Sequence, residues 1–434
     1  MAKICVTGIW HQGAVVSACL ADMGNEVCGV CDPKTAASLN VGKSPVYEPE
    51  LAEIITANIG AGRLRYTADY AEGLPGAEFA FICTDTPVNL QDDSDLSPIY
   101  QIAENIGRCL TNDIILCITA QVPVGTSENL ARLVRSLAPD HDCRVAYIPE
   151  FLRLGIAVET FRRADRVVIG CNDFKAAEKV AQLYQPLHCP IVHTDIHSAE
   201  MAKHGANAFL SMSISFINEI ANLCEKLGAD ALEVARILKL DKRIGPHAFL
   251  SPGLGFAGGT LGREIRALQK FGTRYQTPTP LLDAVWQVNA NRYQIVGERL
   301  TMGLGSLVNK QIGILGLTYK AGTSTMRRAI SLDIIRDLAG QGAKVLAYDP
   351  LANLEEVQDL PPFLRIDDPY EAAKDTSALV LVTEWSDLGS LDFPQLLAQM
   401  QGNLFLDTRN ILDPAKMAGA GFRYLGIGRS FKGN

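Results

Sequence analysis

The chain has 434 residues, too many for one ordinary hydrophobic core, so two or three domains are expected. Apolar residues make up 47% and charged residues 20%, the proportions of an ordinary globular protein. A net charge of -8 leaves no basic excess to meet a phosphate backbone, which excludes a general nucleic-acid binder but leaves room for a small anionic substrate.

Met1 to Val6 runs directly into a strand-like segment with no leader pattern before it, and no apolar run is long enough to span a bilayer. The expectation is a cytoplasmic protein without a membrane partner. Short apolar runs then alternate with helix-length segments: Lys3 to Thr7, Glu26 to Cys31, Phe79 to Cys83, Ile114 to Thr119, Arg144 to Ile148 and Arg166 to Ile169. That rhythm predicts βαβ units on a mainly parallel, doubly wound sheet. From about Ser198 to Lys226 the spacing turns helical, with Met201, Ala208, Phe209, Met212, Phe216, Ile220 and Leu223 recurring until Gly228. A second helical stretch is expected from about Pro280 to Leu300. A long helix apolar on more than one side predicts a connector that also builds a homodimer interface.

Strand–helix alternation resumes after Gly305, with strands at Gln311 to Leu315, Lys344 to Tyr348, Ala378 to Val382 and Asn403 to Leu406 and a helix around Leu332 to Gly340. This block echoes the first. Ile4 to Gly8 leads to Gly24, Val27 and Asp32-Pro33, and Ile312 to Gly316 leads to Gly342, Val345 and Asp349-Pro350. The fold class is therefore α/β, with two Rossmann-like doubly wound parallel-sheet domains joined by a long central helical segment.

Eleven cysteines end at Cys224. Cys5, Cys83 and Cys117 sit in strand-like runs, where a thiol packs as a small hydrophobe. Cys28 and Cys31 have redox-motif spacing but lie within a predicted strand, so packing is the better reading. His193, His197 and Glu200 fall in an expected turn region without a helical metal-binding pattern, and no metal is expected.

In the first βα turn, Gly8-Ile-Trp10-His-Gln-Gly13 stands where a dinucleotide fingerprint would. The first glycine permits the tight turn and the last permits close strand–helix packing, but Trp10 replaces the glycine that lets the backbone approach a pyrophosphate. Asp32 at the end of the second strand suits ribose hydroxyls, and favours NAD over NADP.

Further motifs follow in order. They are Asn40-Val-Gly42 with Pro45 and Glu48-Pro49; Thr84-Asp-Thr86-Pro87; Val122-Pro-Val-Gly125-Thr126; and Pro149-Glu-Phe-Leu-Arg153. Next come Ala199-Glu-Met-Ala-Lys203 with Asn207, Asn218-Glu219, Asp241-Lys-Arg243-Ile-Gly245 and Gly253-Leu-Gly255-Phe256. Gly316-Leu-Thr-Tyr-Lys320, Arg327, Thr383-Glu-Trp385 and Asp407-Thr-Arg409-Asn410 close the series. Over essentially its whole length the chain resembles the nucleotide-sugar (UDP-glucose type) dehydrogenase family.

The resemblance implies an NAD-binding domain over 1–196, a helical connector and dimerisation domain over 197–304, and a UDP-sugar-binding domain over 305–434. Family members oxidise C6 of the sugar twice, the second time through a thiohemiacetal and thioester on a cysteine. Lys203 resembles the catalytic lysine, with Asn207 one helical turn on, and Glu150 a carboxylate of the proton relay. Gly8, Trp10, Gly13, Asp32, Thr86, Gln121 and Arg327 fall at cofactor positions. Phe151, Leu152, Arg153, Arg243, Phe256, Lys320 and Arg409 fall at positions for an anionic nucleotide-sugar substrate.

The departures cluster on the reacting carbon and the cofactor. The family's Gly-Gly-Ser-Cys with its Lys-Asp reads here Ala257-Gly258-Gly259-Thr260 and Arg263-Glu264, so threonine replaces the nucleophilic cysteine and Glu264 is a methylene longer. Gln121 replaces a threonine, Leu154 a glutamate, Ala37 a basic residue and Ser324-Thr325 an acidic pair. A threonine hydroxyl needs a positioned base before it attacks an aldehyde. The readings are a single NAD-dependent oxidation, a two-step oxidation through a hydrated aldehyde or Thr260, a sugar-nucleotide-binding protein with little redox activity, and non-redox chemistry on the same ligand.

Overall fold

The computed structural model describes residues 1–84, 86–87, 94–256 and 260–429. Asp85 and the Ala257-Gly258-Gly259 run lie outside them. The chain divides into two compact units, Met1–Ala206 and Asn207–Asn434, each with its own sheet.

In the first unit the described strands are β1 (Lys3–Thr7), β2 (Glu26–Val30), β3 (Leu64–Thr67), β4 (Phe79–Ile82), β5 (Ile114–Ile118), β6 (Cys143–Tyr147), β7 (Val167–Gly170) and β8 (Ile191–Thr194). Their spatial order is β3-β2-β1-β4-β5-β6-β7-β8. The first six are parallel; β7 meets β6 antiparallel through Tyr147 and Gly170, and β8 runs parallel to β7. The runs are apolar on successive residues because helices cover both faces of a parallel sheet. Ile4 and Val6 of β1 enter one core and Cys5 the other.

The second unit repeats the plan with β9 (Gln311–Leu315), β10 (Lys344–Tyr348), β11 (Leu364–Ile366), β12 (Ala378–Leu381), β13 (Leu404–Asp407) and β14 (Arg423–Gly426). The order β11-β10-β9-β12-β13-β14 is again parallel throughout. Both sheets therefore reverse winding direction beside their first strand, and that switch point opens a crevice at the carboxyl ends.

The long helix runs Ile196–Leu227 and stops at Gly228, whose φ of +78° suits glycine. The Pro280 to Leu300 stretch is not one helix. It breaks at Asn291 into Pro280–Ala290 and Ile295–Leu304, separated by a 3-10 turn over Arg292–Gln294. The break turns Arg292 inward, where its guanidinium donates to the carbonyl of Gly253 and the side-chain oxygens of Asn218 and Asn222. His193 also differs from expectation, lying on β8 and not in a turn.

The two echoed aspartates have opposite fates. Asp32 is exposed and caps the Pro33–Leu39 helix through the Thr35 amide at 3.0 Å. Asp349 is 3% exposed. It accepts from the amides of Leu317, Thr318 and Leu351, the Thr318 hydroxyl and the Trp385 indole. Asp349→Ala strands those buried donors and should cost about 3–5 kcal/mol. Asp32→Ala removes an exposed cap worth about 1 kcal/mol. Urea unfolding of the two variants checks the contrast, and equal losses would contradict it.

Candidate functional site

The predicted cofactor residues of the first unit fall just beyond the carboxyl ends of its strands. Gly8 follows β1, Asp32 follows β2, Thr86 follows β4 and Gln121 follows β5. Gly8 has φ +74°, and a Cβ there would overlap the Thr84 backbone. A Cβ on Gly13 would come within 2.5 Å of the Gly8 carbonyl oxygen. The second sheet repeats this closure, Gly316 (φ +96°) facing Thr383. Only the first pairs the turn with an available carboxylate, because Asp349 is occupied by its own domain.

Trp10 is half-buried and precedes the His11–Asp22 helix; its carbonyl accepts from Ala14 and its ring meets His11 edge-on at 6.2 Å. The turn thus forms with a side chain at the middle position. The fit to a dinucleotide rests on the glycine closure at Gly8 and Gly13 and on the exposed Asp32. The Asp32 carboxyl is held below the usual carboxylate range, chiefly by its hydrogen bond from Thr35. Gln12 reaches the Thr119 carbonyl at 3.0 Å, and the Thr86 hydroxyl donates to the Gln121 carbonyl at 3.0 Å.

Lys203, on the second turn of the long helix, is 6% exposed. Its ammonium donates to the Glu150 carbonyl and lies 3.6 Å from the Glu150 carboxylate. That carboxylate also accepts from the Leu152 amide at 2.7 Å. The Phe151 ring has the Lys203 ammonium 5.0 Å and the Arg166 guanidinium 4.3 Å from its centroid. Phe151 packs into the core that contains Ile196 and Ala199, and Leu152 into the core on the opposite sheet face. The Pro149–Ile156 strip therefore passes from one face of the sheet to the other beyond the carboxyl end of β6, with Arg153 exposed on it.

Two buried carboxylates that sequence reasoning left without a role hold these parts. Glu200 accepts from the Gly125 amide and from the Ser127 amide and hydroxyl, tying the long helix to the turn after β5. His204 adds a contact to the Val122 carbonyl at 3.0 Å. Glu48 accepts from His11 and from the Gly155 and Ala157 amides. The sequence offers one weak signal for Glu48, a glutamate fixed between Tyr47 and Pro49.

The second unit carries the other predicted residues. Asn207, one turn beyond Lys203 on the same helix, is 6% exposed, and its side-chain nitrogen has no partner among the described residues. Phe256 is 6% exposed and bonded through both backbone groups to Asn289. Thr260 is exposed and begins the Leu261–Arg274 helix, and its hydroxyl makes no capping bond. Glu264, one turn later, is 1% exposed. Arg243 pairs with Asp241 at 2.6 Å, and Arg409 with Glu384 at 3.1 Å. Lys320 is half-buried in the turn after β9, and Arg327 is exposed ahead of the Ile330–Gly340 helix.

The cysteines are all free and none is exposed. Burial raises the thiols of Cys19, Cys31, Cys83 and Cys143 to about 12 and pushes Cys5 and Cys117 higher. The second unit contains only Cys224, which is 5% exposed. Glu200 is engaged with the β5 turn, while His193 faces Glu178 at 3.9 Å and His197 faces Glu128 at 3.4 Å. Among the described residues no cluster is arranged to hold a metal, and no helix is long and apolar enough to cross a membrane.

Two Rossmann-type sheets, a glycine-closed turn after β1 with an exposed acid after β2, and a buried lysine–carboxylate pair define a dinucleotide-dependent oxidoreductase architecture. The chain belongs to the UDP-glucose/GDP-mannose dehydrogenase family: residues 2–188 match its NAD-binding domain, 197–291 its central domain and 313–414 its UDP-binding domain. NAD is accordingly the cofactor. The chain is 38% identical to the UDP-glucose 6-dehydrogenase of Rhizobium meliloti, across 98% of this chain and 99% of that one. It is also 38% identical to that of Pseudomonas aeruginosa, across 100% and 98%. A UDP-glucose dehydrogenase structure from Pyrobaculum islandicum superposes with a TM-score of 0.91 at 30% identity, covering 99% and 98% of the two chains.

Thiolates are the reactive form of cysteine, and raised, buried thiols stay protonated at neutral pH. Because threonine stands at position 260, and burial keeps the thiols of Cys5, Cys19, Cys31, Cys83, Cys117 and Cys143 protonated, native treatment with iodoacetamide should leave NADH formation unchanged. Inactivation that a sugar nucleotide protects against would show that a thiol takes part.

Proposed function

We propose that this chain is an NAD-dependent UDP-sugar dehydrogenase of the UDP-glucose 6-dehydrogenase type that performs one oxidation and releases a carbonyl product. The carrying observation is that the buried Lys203 stands beside Glu150 while position 260 is threonine. UDP-glucose is the favoured substrate because relatives 38% identical over nearly the whole chain are UDP-glucose 6-dehydrogenases. The division of labour is NAD on 1–196, the connector on 197–304 and the sugar nucleotide on 305–434.

NAD supplies the hydride acceptor. For it, the Gly8–Gly13 turn with Trp10 would receive the pyrophosphate and Asp32 the ribose hydroxyls, with Thr86, Gln121 and Arg327 as further contacts. Lys203 holds the sugar's alcohol oxygen and stabilises its charge as the proton leaves, with Asn207 as a second donor. Glu150, anchored by its own strip, takes up the proton. Phe151, Leu152, Arg153, Arg243, Phe256, Lys320 and Arg409 seat the sugar nucleotide, and Arg409 exchanges Glu384 for phosphate as it does so.

A second oxidation needs the aldehyde captured by a nucleophile. Thr260 offers a hydroxyl whose only carboxylate one helical turn away, Glu264, is buried, and an oxygen ester hydrolyses less readily than a thioester. The expected stoichiometry is one NADH per UDP-glucose, with an aldehyde or ketone trapped by hydroxylamine. Thr260→Ala should leave that step largely intact, whereas Lys203→Ala should lower kcat by about 10²–10³-fold. Two NADH per sugar with a uronic acid would overturn the single oxidation. A second reading, sugar-nucleotide binding without redox activity, is favoured by Trp10 at the pyrophosphate position. Clear UDP-sugar binding without NADH formation would establish it.

The chain also forms a two-fold homodimer in this reading. On the long helix Phe209, Phe216 and Leu223 are 62%, 47% and 53% exposed, and their seven-residue spacing puts them on one stripe. An apolar row of that length is normally covered. Sedimentation at micromolar concentration should give a dimer, and Phe216→Glu should shift it to monomer. A monomeric wild-type protein would refute this.

A further inference from the structure

Neither His11 nor Glu48 was predicted to belong to the site, yet together they join its two halves. The Glu48 side chain is fully buried. One carboxylate oxygen accepts from the Ala157 amide at 2.6 Å; the other accepts from the Gly155 amide at 2.9 Å and meets His11 Nε2 at 2.7 Å. His11 is itself 8% exposed and opens the first helix, directly after Trp10 of the cofactor turn. Gly155 lies near the end of the strip and Ala157 opens the helix after it, while Glu150 at the strip's beginning holds Lys203. A single carboxylate thus spans the cofactor turn and the strip.

Packing does not enclose the strip on every side. A pocket of about 290 Å³ is lined by Glu150, Leu152 and Ile156 of the strip together with Val16, Tyr184 and Leu187. Gly155 has φ +84°, a conformation open to glycine. The nearby Arg162 does not compete for Glu48, since it pairs with Glu50 and Asp22. Where packing leaves room, the hydrogen bonds at the strip's far end decide its setting.

We propose that His11 and Glu48 are positioning residues that make cofactor and sugar nucleotide bind cooperatively. The inference rests on reading the turn and the strip as parts of the NAD and UDP-sugar sites. A dinucleotide seated on the turn restrains His11, and through Glu48 it restrains Gly155 and Ala157. The sugar nucleotide then meets an ordered strip and loses less conformational entropy on binding. By linkage the sugar nucleotide tightens NAD binding by the same factor.

The test is calorimetric titration of the full chain with UDP-xylose, which lacks the C6 alcohol and so does not turn over at that carbon, with and without saturating NAD. In the wild type NAD should tighten UDP-xylose binding about fivefold or more, within the usual range of coupling between sites. His11→Leu leaves both amide bonds to Glu48 in place. It should bind UDP-xylose in the absence of NAD nearly as the wild type does, but with the coupling factor, the ratio of UDP-xylose affinities with and without saturating NAD, reduced towards one. His11→Gln, which keeps a donor for Glu48, should restore part of the coupling. No coupling in the wild type, undiminished coupling in His11→Leu, or a His11→Gln no better than His11→Leu would each overturn the proposal. A wild-type protein that binds UDP-xylose but not NAD would overturn the functional reading as well, which separates the two failures.

Discussion

A carboxylate taken out of water is tolerable only where hydrogen-bond donors surround it. Among the described residues several such groups, Glu200, Glu48 and Asp349 among them, hold turns that secondary structure alone would leave loose. Glu200 fastens the turn after β5 to the long helix, Glu48 fastens the first helix to the Pro149–Ile156 strip, and Asp349 closes the turn after β9. Each takes two or more backbone amides, which fixes a loop's path more tightly than a side-chain pair does. In the first unit, the placement of Lys203 beside Glu150 depends on two of them. The helix bearing the lysine and the strip bearing the carboxylate are each pinned by a buried acid of their own.

The two sheets show how one plan accommodates different duties. Both close their first turn by setting a glycine against a threonine, Gly8 against Thr84 and Gly316 against Thr383. The difference lies one strand away. After β2 the acid faces water and makes only a helix cap. After β10 the acid is surrounded by five donors from its own domain, and the half-buried Lys320 is left to offer charge beside the turn.

The sheets, the duplicated arrangement and the long helix were legible in the sequence because hydrophobic periodicity and glycine placement report on local geometry. Gly8, Gly13 and Gly228 behave as their positions suggested. Strands β3, β8, β11 and β14 were not singled out, since three of them are exposed enough at the sheet edges to lose the continuous apolar signal. The break at Asn291 was invisible because the contacts that accompany it, those of Arg292 with Asn218 and Asn222, lie some seventy residues away. The same holds for the site. Lys203, Glu150 and Asp32 stand in recognisable runs, whereas the partners of Glu48 are 37, 107 and 109 positions distant, and no local pattern encodes such separations.

The enclosure of Asp349 also bears on how this protein can change over generations. A carboxylate facing water can be exchanged for another residue at little expense to folding, so the N-terminal sheet can explore new cofactor preferences one substitution at a time. The C-terminal counterpart is walled in by its own backbone, and the steps towards a second dinucleotide pocket pass through poorly folded intermediates. The two scaffolds are alike in plan, but only the first leaves its acid free to be exchanged without disturbing the turn it stands beside.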